Sequence, residues 1–211
     1  KSVTVLADPV PGYMTALQTF LPAGSHALLV IVAEFNEAAM KQIVADFGGR
    51  ITYRQDMEQV RATRRTLVEY AWNHTTMHAL KVDRSLTYIQ CSFQPGRNLE
   101  QVRTLRKLLG DEVLTHVEFL RLRDGTLTCN GLPIVRYTTD ERLDEIMQIY
   151  RDHGVGVANP HVYVVEDGKQ GEVNPAVVMK KVAFDPHGLL NPGKLRGWEI
   201  RDQIIAAHAE A

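Results

Sequence analysis

Hydrophobic and polar positions alternate in two rhythms along this chain. Leu99, Val102, Leu105, Leu108 and Leu109 recur at helical spacing between Asn98, a capping residue, and Gly110. Leu143, Ile146, Met147 and Tyr150 repeat that spacing in a helix opened by Thr139 and stopped by Gly154. A third helix runs from Glu37 to about Phe47 behind Asn36, with Met40, Ile43, Val44 and Phe47 on one face, and Gly48-Gly49 ends it. Pro11 to Phe20 predicts a short helix carrying Met14 and Leu17, broken by Pro22-Ala23-Gly24-Ser25. Met57 to Leu80 is helical in propensity but crowded with polar groups. Asn174-Pro175 supplies a cap and first position for a helix through about Ala183, and Trp198 to Ala207 forms a weakly amphipathic tail.

The second rhythm is that of strands. Ala27 to Phe35 is an unbroken apolar run, which predicts a strand buried on both faces. Arg50 to Arg54 is a short strand, and Ser85 to Phe93 alternates. Glu112 to Leu122 and Thr126 to Tyr137 flank Asp124-Gly125 as a hairpin. His161 to Val165 completes the set. Strand–helix–strand order recurs three times with hairpin signals between. That predicts an α+β fold, an antiparallel sheet covered by helices, with a C-terminal helical tail.

Composition narrows the function classes. The chain has 211 residues, with 24 basic against 25 acidic side chains and a net charge of −1. A nucleic-acid surface needs a basic excess that is missing here. The longest apolar run is too short to span a membrane. Cys91 and Cys129 stand on expected strands without metal-ligand spacing, so they read as buried free thiols in a reducing, cytoplasmic setting. No GxGxxG, GxxxxGK[ST], CxxC or HExxH motif occurs.

Three polar clusters are candidates for chemistry. His116 and Glu118 share one face of a strand, where they can polarise a hydroxyl, accept a proton or bind a metal. The alternative is a local ion pair or hydrogen-bonded core pair. His161 and Tyr163 follow Asn159-Pro160 and the Gly154-Val155-Gly156 loop; side by side on a strand they suit the proton of an alcohol. If the strands at 112–122 and 161–165 were neighbours, both clusters could face one pocket. The third cluster, Tyr70 to Leu80, holds Asn73 and His74, with His74 and His78 at helical i,i+4 spacing. Without a carboxylate nearby, that histidine pair is weak evidence for a metal, and none is assigned. Arg61, Arg64 and Arg65 read as a solvated helix face, or else as a contact for an anionic partner.

The most constrained stretch is Phe184-Asp185-Pro186-His187-Gly188-Leu189-Leu190-Asn191-Pro192-Gly193-Lys194. Its prolines remove backbone donors and its glycines admit unusual dihedrals, which suits a tight turn between helices. The order of residues from Asp185 to Lys194 resembles the C-terminal signature of FAD-linked oxidases of the vanillyl-alcohol oxidase family, which includes D-lactate dehydrogenases and glycolate oxidase subunits. The resemblance implies a ferredoxin-like cap domain and a flavoenzyme that oxidises an alcohol or hydroxy acid by hydride transfer to FAD. It implies cofactor-side roles for Asn191, Gly193 and Lys194. It makes His161, Tyr163, His116 and Glu118 the catalytic candidates, and Asn73, His74 and Asn159 the substrate-binding ones.

Two departures qualify the match. Relatives carry an arginine for the substrate carboxylate in the Trp-led segment, where this chain has Asn73 and His74. Their His-x-Gly-Asp-Gly-Asn metal motif is missing as well. The family's N-terminal FAD-binding domain, with its glycine-rich pyrophosphate loop, is not found, and Lys1 to Val5 reads as a strand end. The expectation is therefore a downstream portion of a longer protein, with 1–170 as substrate-binding cap and 171–211 as flavin-contacting segment. The apolar face left by the absent domain predicts exposed hydrophobic surface or a homodimer. The competing reading is a non-catalytic α+β binding or accessory domain with a rigid Pro/Gly clasp.

Overall fold

The chain is described by a computed structural model covering residues 3–64, 66–67, 74–169 and 171–209. It falls into two units, Lys1–Val157 and Ala158–Ala211. The first carries an α+β arrangement of largely antiparallel sheet. Its strands are β1 (Val3–Leu6), β2 (Ala27–Val30), β3 (Leu86–Tyr88), β4 (Gln90–Ser92), β5 (Val113–Leu114), β6 (His116–Arg121), β7 (Leu127–Gly131), β8 (Ile134–Arg136) and β9 (Gly156–Ala158). A six-stranded sheet runs β2-β1-β6-β7-β4-β9, and a three-stranded one β3-β8-β5.

The three long strands read from sequence are each bent in two. Ser85–Phe93 becomes β3 and β4, Glu112–Leu122 becomes β5 and β6, and Thr126–Tyr137 becomes β7 and β8. Bends at Ile89, Thr115 and Leu132-Pro133 fall side by side, since the Ile89 amide donates to the Pro133 carbonyl (3.4 Å) and the Leu132 amide to the His116 carbonyl (3.3 Å). Pro133 has no amide to give the ladder, so the bend falls where regular pairing must lapse.

Helices cover both faces of this sheet. They are α1 (Thr15–Gln18), α2 (Glu37–Asp46), α3 (Met57–Thr63), α4 (Thr75–Val82), α5 (Asn98–Leu109) and α6 (Asp140–Asp152). Leu105 and Leu109 of α5 and Leu143, Ile146, Met147 and Tyr150 of α6 pack on Cys91, Val117 and Cys129. The opposite face packs Leu6, Ala27 and Leu29 with Val10, Met14, Leu17 and Ala79 of α4. Thr139 caps α6 by accepting from the Arg142 amide. Both cysteines are buried and free, and burial pushes the Cys129 thiol up to about 11 and that of Cys91 higher still.

Several expected elements differ. The run at 27–35 is a strand only to Val30, and it is the sheet's edge rather than a strand buried on both faces; Leu28, Ile31 and Phe35 are exposed. Helix α2 forms and ends in a Schellman closure, with the Gly48 amide on Ala45 and the Gly49 amide on Val44, yet buries no side chain. Residues 50–54 are irregular, held by Tyr53 stacked on Phe20 (4.5 Å between centroids) and Arg54 bonded to Glu37. Of the stretch expected to be helical, 57–80, α3 and the start of α4 form; α3 ends at Arg64, whose φ of 53° is left-handed, and residues 65 and 68–73 lie outside the described residues. Asn98 is the first helical residue of α5 and Arg97 takes the cap position. Pro11–Phe20 divides into a 3₁₀ turn, Val10–Tyr13, and the single turn α1.

The second unit contains a 3₁₀ turn at Val165–Lys169, α7 (Pro175–Phe184), a 3₁₀ turn at Arg196–Trp198, and α8 (Arg201–Ala209). Asn174 caps α7 through the Ala176 amide, with Pro175 at the first position. The strand expected at His161–Val165 is irregular backbone leading into the 3₁₀ turn; the strand at this point in the chain is β9, and its sheet neighbour is β4. The Pro160 ring and the Asn159 side chain, which accepts from the His161 amide (2.9 Å), impose a turn before a ladder can start.

Candidate functional site

In the first unit, strand register builds the polar cluster. His116 lies opposite Leu6, and Glu118 lies between Thr4 of β1 and Asn130 of β7. His116 and Glu118 thus share a face, the one away from α5 and α6. Thr4, His116 and Glu118 are buried, whereas Asn130 and Ser92, paired on the same face, are exposed. His116 Nε2 lies 3.3 Å from Glu118 Oε1, but neither ring nitrogen has an aligned hydrogen-bond partner among the described residues. A cavity of about 10 Å³ near His116 is lined mostly by Cys91, Phe93, Val102, Val117 and Tyr150, on the α5–α6 side of the sheet and so on the face opposite to the His116 and Glu118 side chains. A polar groove of about 330 Å³ runs past Arg97, Gln101, Arg151 and His153 and includes none of the candidates. Sequence reasoning missed Thr4 and Asn130, because cross-strand pairing leaves no mark in local spacing.

His74 is exposed at the cap position of α4, and its carbonyl accepts the His78 amide. Asn73 lies outside the described residues, as does Arg65. Among the described residues no group of three or more His, Cys, Asp or Glu side chains could hold a metal.

The second unit gathers the rest. Asp185 opens the constrained stretch and is buried. Its carboxylate accepts the Leu189 amide (2.8 Å) and the Leu190 amide (3.0 Å) and meets the Lys181 ammonium at 2.6 Å. Lys181 also donates to the Leu190 carbonyl (2.7 Å). The Lys181 contact holds the Asp185 carboxyl below its usual range; burial opposes this, and the two amides add to it. Gly188, at φ 64°, lies against the Trp198 ring, where an added Cβ would come within 2.9 Å. Trp198 itself lies beneath Lys181 and Arg201.

A second carboxylate closes the unit. Glu166 is buried and accepts the amides of Gly197 (2.9 Å) and Arg196 (3.0 Å). Burial pushes its carboxyl up, but those backbone donors and the Arg196 charge outweigh it and leave the group low. Arg196 reaches Asp167 at 2.6 Å. Sequence reasoning passed over Lys181, Glu166, Arg196 and Trp198. Only the i,i+4 spacing of Lys181 and Asp185 carried a readable signal.

With the stretch anchored from behind, its tip is open. Leu189, Leu190, Asn191, Pro192 and Gly193 are exposed, with Asn191 at φ 49° and Gly193 at φ 73°. The tip is tied to the segment after Asn159. The Val165 amide donates to the Lys194 carbonyl (3.0 Å), and the Lys194 ammonium lies 3.1 Å from the Tyr163 ring centroid. The Tyr163 hydroxyl lies 4.0 Å from where a Cβ of Gly193 would stand. Tyr163, Gly193 and Lys194 therefore come together. His161 is exposed nearby in the chain, and Asn159 is occupied with the His161 amide.

The family model for FAD linked oxidases, C-terminal domain, matches residues 14–195. The chain belongs to this family. Curated proteins yielded no match. As a C-terminal domain of FAD-linked oxidases, the chain is part of a flavin-dependent oxidoreductase family, and FAD is the cofactor that family implies. The residues at the tip fit such a group: exposed apolar Leu189 and Leu190, an open approach to the Gly193 backbone, and a cation at Lys194. Among the described residues no helix is long and apolar enough to cross a membrane.

Proposed function

We propose that this chain is the substrate-side portion of a flavoprotein that oxidises an alcohol or hydroxy acid. Bound FAD would supply the acceptor for a hydride at the flavin ring. The observation that supports this most is the exposed tip at Leu189–Lys194, held by Asp185 and Lys181 and joined to Tyr163. Asn191, Gly193 and Lys194 line the cofactor's edge in this reading. His161 and Tyr163 stand beside them as polar groups for a substrate hydroxyl, and Asn159 and His74, with Asn73, are substrate contacts. His116 and Glu118, a buried pair 3.3 Å apart within the sheet of the first unit, are the further candidates for holding a proton. Residues 1–170 form the substrate side and 171–211 the flavin side.

An N-terminal FAD-binding domain, the partner the family implies, would hold the adenine and pyrophosphate of the cofactor. A homodimer through the exposed apolar face of α2 is compatible with this. Titrating FAD into the 211-residue chain, followed by flavin fluorescence, should give weak binding or none. Tight stoichiometric binding would sink the division of labour. With the complete flavoprotein, a panel of alcohols and hydroxy acids should include at least one that bleaches the flavin anaerobically.

One observation favours a second reading, a rigid clasp in an accessory domain. Asp185, Gly188 and Lys181 are fully employed in holding the turn itself. A complete protein that carries no flavin would decide for it.

A further inference from the structure

Lys194 is held differently from the paired cations of its unit. Lys181 pairs with Asp185, Arg196 with Asp167, and Arg201 approaches Asp202 at 3.8 Å. Among the described residues no carboxylate pairs with Lys194; its ammonium rests on the face of Tyr163 instead. The negative face of an aromatic ring attracts a cation without neutralising it. The charge is therefore held in place and still available to a further anion. Backbone contacts make the placement firm: the Val165 amide bonds the Lys194 carbonyl, and the Lys194 amide reaches the Asn191 carbonyl (3.3 Å).

Tyr163 was expected to act through its hydroxyl on a substrate proton. The Lys194 ammonium lies over one face of its ring, a contact the hydroxyl does not make, so the ring has a task separate from that of the hydroxyl. We propose that Tyr163 is a positioning residue, whose ring holds the Lys194 ammonium as a fixed positive charge at the flavin edge. This rests on the assignment of the tip to the cofactor. A fixed cation beside a group that gains electrons favours its reduced form, so the pair would set the ease of flavin reduction.

Two measurements separate the parts of this proposal. In the 211-residue chain, Lys194 is acylated with a small activated ester and read by peptide mass spectrometry. Tyr163→Leu should raise its rate about two- to fivefold, the loss expected for one exposed cation–ring contact, and Tyr163→Phe should leave it unchanged. In the complete flavoprotein, Tyr163→Leu and Lys194→Met should both lower the flavin midpoint potential, with Tyr163→Phe at the parent value. Backbone exchange at Gly197 checks that each variant keeps the unit folded. The proposal is overturned if Tyr163→Phe moves the potential as Tyr163→Leu does, if Lys194→Met leaves it in place, or if acylation ignores Tyr163→Leu. A complete protein without flavin would instead sink the underlying assignment, while the acylation arm would still judge the Tyr163–Lys194 contact.

Discussion

The two units are held by opposite means. The first buries two apolar clusters, on either side of its sheet. In the second, Val178 is the one buried apolar side chain among the described residues, and the buried polar groups are Glu166 and Asp185. Apolar burial is non-directional and tolerant, so the first unit positions whole elements. Carboxylates accepting specific amides are directional, so the second unit positions single backbone groups. A loop meant to present one fixed edge gains more from the second means than from the first.

That contrast can be broken from either side. Ile146→Ala, in the core beneath α6, should cost about 2–5 kcal/mol and lower the global denaturation midpoint. Hydrogen exchange at Leu189 and Leu190 should respond far less, and an equal response would show that the units do not differ. Glu166→Ala removes the acceptor of two amides and should cost about 2–3 kcal/mol of local stability, read as faster exchange at Arg196 and Gly197 with α6 unchanged.

Gly188→Ala combines a φ of 64° with a clash against Trp198 and should cost about 1–3 kcal/mol, visible as quicker proteolysis within 185–194. Acid sharpens the comparison further. The folded-state carboxyls of Glu166 and Asp185 lie below their ordinary values of 4.5 and 3.8. Their stabilisation is whole above those values and is lost as pH falls through the lower folded ones. Exchange at Leu189, Leu190, Arg196 and Gly197, the amides these carboxylates hold, should therefore quicken as pH falls below 4.5 and 3.8. The smallest effect belongs to Phe47→Ser. This side chain is 88% exposed on a helix that buries nothing, so stability should stay within about 0.5 kcal/mol while self-association falls.

Local pattern was a sound guide where a segment's own face met the core. The inward residues of α6 were legible to the residue, because helical spacing and burial coincide there. The same spacing in α2 marks an apolar stripe, but none of its side chains is buried, so periodicity alone does not tell a covered face from an open one. Ala27–Phe35 misled for a related reason: an apolar run does not say whether a strand lies inside a sheet or at its edge. At the candidate site, Gly193 and Lys194 were marked by their motif and Tyr163 by its chemistry, but their meeting depends on one backbone bond between Val165 and Lys194.

By itself the sequence determined the α+β class, the helices with matched caps, the family and the turn at residues 184–194. These are carried by neighbours in the chain, through periodicity, capping and the fixed dihedrals of proline and glycine. Only tertiary structure decided the common bend of three strands, the row Thr4–Glu118–Asn130, the anchoring of the loop by Glu166 and Trp198, and the seat of Lys194 on Tyr163. Each joins residues far apart in sequence. Long-range pairing follows from which surfaces are buried together, and local spacing does not encode it.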